Sequence, residues 1–192
     1  MAENIFRAVS MKAGDTDKSY QWYRDQIRNL GSGISGTQLI RSETLTTRIQ
    51  PGEMYLFMYD PKHKKTLPYY DATPLVLPFS IVKGGFLGIN LHYLPYIARW
   101  RLLGELSKLT NDPIINEKTK IDISWRLLNG SVRYLPATAC VKHYLTSHLQ
   151  SRFLKINFSD WITASMLPVE NFKKEKKENV WRDTKKKYTG FY

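Results

Sequence analysis

The sequence predicts an α+β protein. A small antiparallel β-sheet, or a partly open barrel, is expected over about residues 48–93, packed with N-terminal and C-terminal helices. Two observations carry this. Three short apolar runs, EMYLFMY, PLVLPFSIV and GFLGINLHYL, lie between Arg48 and Pro95, each bounded by Pro, Gly or an Asp-Pro step, as strands and turns are. On either side the apolar residues recur at helical spacing, so the order is sheet first and further helices after. The chain divides into an N-terminal arm (1–16), one α+β domain (17–169) with its sheet at 48–95 and helices at 96–169, and a basic aromatic tail (170–192).

Taken in order, the residues to about Gly14 read as irregular. DTDKSYQWYRDQIRNLG then predicts an amphipathic helix: Asp and Ser offer N-caps, Tyr20, Tyr23, Ile27 and Leu30 form the apolar stripe, and Gly31 stops it. Trp22 lies on the other face beside Arg24 and Arg28, where it either covers the core edge or meets a partner. GSGISG is a connector or a tight backbone passage, and it lacks the lysine of a phosphate-cradling loop. TQLIRSETLTTRIQ reads as a short helix or extended arm.

In the first strand Met54, Leu56 and Met58 alternate with Tyr55, Phe57 and Tyr59, so both faces are expected to be covered or to form an interface. Pro74 and Pro78 lack N–H donors, which predicts that the second strand is an edge or is broken at Pro78. Lys83-Gly84-Gly85 is a turn, and Phe86, Ile89, Leu91 and Tyr93 extend the third run. Pro95 opens a helix with Ile97, Trp100, Leu103 and Leu106 inward and Arg99 and Arg101 off the buried stripe. Further helices are expected at about 117–128 and 137–149, then an extended SRFLKINF and a short helix DWITASML capped by Ser159 or Asp160. The tail reads as solvated or partner-ordered chain.

Composition bounds the function. At 192 residues, 42% hydrophobic and 13% aromatic, the chain can bury a core, so wholesale disorder is excluded. The single Cys140 closes no internal disulfide and reads as a small buried apolar residue. MAENIFRAVSMKAGD has no apolar core of signal-peptide length and no run of about eighteen apolar residues occurs, so a soluble protein made in the cytoplasm, with no membrane partner, is expected. The net charge of +12 and pI near 9.7 suit either a polyanionic partner or a basic surface facing acidic neighbours.

The search for enzyme chemistry yields little. His63, His92, His143 and His148 form no metal-ligand spacing, and neither HExxH nor GxSxG is present. Cys140 and His143 are neighbours only in sequence. Glu53, Asp60 and Asp71 with Lys62 or Lys65 are the one set that a metal-dependent nuclease could use, and Asp60 and Asp71 are accounted for as turn residues. No catalytic residue, metal or cofactor is expected.

SYQWYRDQIRNL, MYLFMYDPKHKKTLPYYDATPLVLPF, GGFLGINLHYLP, CVKHYLTSHLQSRF and the lysine-rich tail together resemble the DNA end protector family, virion proteins of T-even-like contractile-tailed phages, over Ser19 to Lys187. The resemblance implies a non-enzymatic structural protein of the virion, in several copies around its axis, that binds the end of the packaged double-stranded DNA and docks on neck or tail proteins. It carries no catalytic motif. Phosphate contacts without base readout suit such a role, because any end sequence must be accepted. The residues available for them are Lys62, Lys64, Lys65, Lys173, Lys174, Lys176, Lys177, Lys185, Lys186 and Lys187. Tyr69, Tyr70 and Trp181 are candidates to stack on a frayed base. The competing reading is a baseplate, tail or neck component that touches only other phage proteins.

Overall fold

The structure is a computed structural model that describes residues 5–14, 18–30, 33–110 and 139–186. The helix expected at about 117–128 and Lys187 lie outside the described residues. Where an irregular arm was expected, Ile5–Ala13 forms a helix, α1. Phe6 and Val9, three residues apart, bury one face of it, and Gly14 ends it at φ +59°, a left-handed conformation that glycine adopts without steric penalty. Helix α2 is Tyr20–Asn29, with Ser19 Oγ capping Trp22 N–H at 3.2 Å. Helix α3, Gly36–Ser42, opens with a capping box in which Ser35 Oγ accepts from Gln38 N–H and Gln38 Oε1 accepts from Ser35 N–H. At the end of the glycine-rich connector Gly36 sits in a tight passage, since a Cβ there would lie 2.5 Å from Thr73 Cγ2, whereas Gly33 has open space around it.

The sheet has five antiparallel strands and is open, not closed into a barrel. In chain order they are β1 (Met54–Leu56), β3 (Leu75–Val82), β4 (Gly85–Asn90), β5 (Val141–Leu145) and β6 (Leu154–Ile156), with spatial order β5-β4-β3-β1-β6. A separate two-stranded ribbon joins β2 (Tyr70–Asp71) to β7 (Phe172–Lys173). The outer strands β5 and β6 extend the sheet beyond 48–93. Strand β3 is therefore central, not an edge. Its prolines are tolerated because β1 pairs only with Leu75 and Val76, and a register shift between Pro78 and Ser80 interrupts the pairing with β4.

Alternation in β1 divides the core into two layers. Met54 and Leu56 point with Leu75, Leu77 and Ile89 into the large core shared with the helices. Tyr55, Phe57 and Tyr59 point the other way, to Val76, Phe86, Tyr144 and Phe153. Phe57 is the hub of that second layer, edge-on to Phe153 at 5.1 Å and Tyr144 at 5.2 Å. Both faces are thus covered, as the double-sided apolar strand implied.

Helix α4 is Tyr96–Thr110, with Ala98, Leu102, Leu103 and Leu106 buried. Arg99 is also fully buried, contrary to its expected place off the stripe, whereas Arg101 is exposed. The helix expected at 137–149 is instead β5 followed by a 3₁₀ turn, Thr146–His148. Strand β5 can approach β4 only because of Gly85, where a Cβ would stand 1.9 Å from Tyr144 O. Helix α5, Trp161–Met166, packs on α4; Asp160 occupies its N-cap position without a side-chain capping bond. Burial raises the Asp160 pKa, against lowering hydrogen bonds from Ser159 and Asn157. Cys140 is buried in the main core.

Candidate nucleic-acid interface

The basic loop after β1 is held by short-range turns: Lys64 N–H donates to Pro61 O at 3.1 Å, and Thr66 and Leu67 N–H both donate to His63 O at 3.0 Å. The chain then returns as β2, whose partner is the far segment β7, with Tyr70 opposite Lys173 and Asp71 opposite Phe172. Lys174 adopts φ +71° and aims its ammonium at the loop, donating to Lys65 O at 3.0 Å and Leu67 O at 2.8 Å. Helix α6, Lys177–Lys186, follows with Val180 and Thr184 buried. Two basic segments more than a hundred residues apart in sequence therefore form one surface.

The proposed contact residues divide by what they already touch. Lys62, Lys65, Lys173, Lys176, Lys185 and Lys186 have exposed side chains. Lys64 is exposed but ion-paired with Asp60 at 2.7 Å, a hydrogen bond that raises its pKa. Lys174 is spent on the two loop carbonyls. Lys177 is half-buried, donating to Tyr96 Oη at 3.1 Å and lying 3.5 Å from Glu170. Trp181 turns inward, its Nε1–H donating to His92 O at 2.8 Å and its ring set edge-on to Tyr96 at 5.3 Å. The described part of the segment read as tail is thus strand and helix seated on the core.

Tyr69 and Tyr70 are half-buried on the wall of an open pocket of about 330 Å³ among the described residues. On its exposed side it is lined by Lys62 and His63 from the loop and His143 from β5, with the half-buried Lys142 next to His143. Its interior is aromatic, formed by Tyr59, Tyr93 and Tyr144, with Leu67 and Leu145 beside them. Lys142 places its ammonium 4.1 Å from the centre of the Tyr93 ring. Burial is the first cause that raises the pKa of Tyr59, Tyr69, Tyr93 and Tyr144, moving their ionisation still further above neutral pH. For Tyr69, Asp183 of α6 adds a charge and a hydrogen bond in the same direction.

Sequence reasoning missed Lys142 and His143 because their stretch reads as a helix. The available signal was the alternation of Val141, His143 and Leu145 with Lys142 and Tyr144. Tyr93 and Tyr144 had no sequence signal, since they arrive by strand pairing.

The acids of the nuclease set go to separate partners. Glu53 accepts from Tyr55 Oη and pairs with Lys155 at 2.7 Å, and Asp60 pairs with Lys64. Asp71 is buried and accepts from Thr73 N–H, Asn171 N–H and Asn90 Nδ2, with His92 Nδ1 at 2.7 Å. Both of its oxygens are engaged, so it fixes the ribbon and the pocket floor. Among the described residues no group of three or more His, Cys, Asp or Glu side chains is arranged to hold a metal ion. Nor is any described helix long and apolar enough to cross a membrane.

Comparison with curated proteins gave no match, and comparison with solved structures gave none either. A family model, described as Phage T4 terminal DNA protecting protein, matches residues 4–188. The match runs from the start of α1 through the loop, the ribbon and the whole of α6, so the surface just described lies inside it. By that extent, the chain belongs to the phage T4 terminal DNA protecting protein family.

Proposed function

We propose that this phage protein binds the terminus of the packaged double-stranded genome and denies it to exonucleases, as a non-enzymatic component of the virion. The family match carries the reading. The joined basic surface supplies the chemistry: Lys62 and Lys65 lie in the loop before β2, Lys173 on β7 opposite Tyr70, and Lys176 between β7 and α6. Cations on a rigid platform neutralise phosphates without reading sequence, which is what protection of an arbitrary end requires. Docking on neck or tail proteins, in several copies around the particle axis, completes the role. The second reading is a connector that touches only other phage proteins; the family description, a DNA protecting protein, favours the first.

The test is exonuclease digestion of linear duplex with the purified full chain over a salt series. Protection is expected at low salt and is lost as salt rises; digestion at the unprotected rate at low salt overturns the reading. The same reaction with divalent metal and no exonuclease leaves the duplex intact.

A further inference from the structure

Building on the end-binding reading, we propose that the pocket between β4, β5 and the 60–69 loop takes one unpaired terminal nucleotide of a DNA strand. The base enters among the tyrosines and its phosphate rests on the solvent side, by Lys62 and Lys142.

Size limits the occupant. About 330 Å³ lies at the small end of the range for organic-ligand sites, roughly 300–1,000 Å³, and is far too small for a duplex. The part of a nucleic acid that suits this space is a single nucleotide out of its stack. Extrusion is easiest where a base has lost its pairing, which on linear duplex means the terminus.

The lining separates the two halves of that nucleotide. Tyr69 and Tyr70, the half-buried rings on the wall, are the surfaces on which any base can lie, because every base has a π-face, while the buried Tyr59, Tyr93 and Tyr144 complete the aromatic lining. Lys62 and His63 on the exposed loop and His143 on β5 put cationic and hydrogen-bonding groups on the solvent side of the lining, with the half-buried Lys142 over Tyr93 beside them, where a phosphate remains in contact with water. Asp71 is the one acid among the described residues on the lining, and its four hydrogen-bond partners leave it no role toward the ligand. Tyrosine is neutral at neutral pH and burial raises its pKa further, so the interior holds hydroxyls and not phenolates that would repel a phosphate. The site would tell an end from internal duplex with no preference for sequence.

The experiment uses the full chain and a linear duplex carrying a fluorescent adenine analogue, either at the terminal position or internally. Stacking on the tyrosines should quench the terminal analogue on saturation and leave the internal one unchanged. Lys62→Ala combined with Lys142→Ala should weaken the terminal signal about tenfold in protein concentration, and Tyr70→Ala should reduce the quench. Lys83→Ala, on the exposed β3–β4 turn, should alter neither. Thermal unfolding of each variant shows that it is folded. Deoxyadenosine monophosphate should compete for the terminal signal. If duplex is bound and protected while the terminal analogue responds no more than the internal one, the pocket proposal is overturned and end binding stands. If no duplex is bound, both fall.

Discussion

Arg99 has no contact with solvent, and its guanidinium is saturated by protein. It donates to Leu94 O at 2.7 Å, Ser165 O at 2.8 Å and His92 O at 3.2 Å, and pairs with Glu170 at 2.7 Å. Burial raises the Glu170 pKa, but Arg99 first, then His92 and Lys177, overcome that and hold it at about 2. Glu170→Gln therefore leaves a cation buried without its counter-charge and should cost roughly 3–5 kcal/mol, read by chemical denaturation. The pH dependence follows from the same pair. With its pKa lowered from 4.5 to about 2, Glu170 contributes its full stabilisation above about pH 4.5 and loses it as pH falls toward 2. Wild type should weaken over that window more steeply than Glu170→Gln; equal slopes would sink the assignment. Periodicity could not reveal this, because an arginine on a helix face reads as solvated and its partner lies about seventy residues downstream.

Element by element, the sheet depends on glycines that make room for other strands. Gly85→Ala would drive a methyl into Tyr144 O and should cost about 3 kcal/mol, while hydrogen exchange speeds up first in β5. An unchanged unfolding midpoint would show that β5 does not sit so close. The C-terminal elements behave as core in the same way. Val180 is fully buried, Trp181 bonds to His92 O, and β7 completes the ribbon that fixes the loop. Deleting residues 171–192 should lower the thermal midpoint and loosen the Lys62–Lys65 backbone, whereas loss of a solvated tail would do neither. The double-sided β1, the Lys83-Gly84 turn and the start of α4 were legible in the sequence, because period-two alternation, glycine and Pro95 are local signals. Strand β5 was not, since what makes Val141–Leu145 a strand is the vacant face of Gly85, more than fifty residues earlier. Helix α1 escaped for a related reason, as Phe6 and Val9 mark a buried face only once α5 is there to cover them.

For the whole molecule, the net charge of +12 announced a polyanionic partner or a basic surface without saying where such a partner would sit. The two lysine clusters could be read from the sequence; their union through the β2–β7 ribbon and the Lys174 tether is tertiary, and no local pattern encodes it. That union makes a measurable distinction among the lysines. If Lys62, Lys65, Lys173 and Lys176 each meet a phosphate of one bound end, each alanine substitution should weaken binding for all end sequences alike. Each should also lower the slope of log affinity against log salt by roughly one. Lys177→Ala should instead reduce stability, because its ammonium serves Tyr96 and Glu170, and leave the salt slope of the folded fraction as it was. If alanine at the loop lysines lowers the slope while the ribbon lysines leave it unchanged, DNA is engaged by the loop alone. The ribbon then serves only to hold the loop in place.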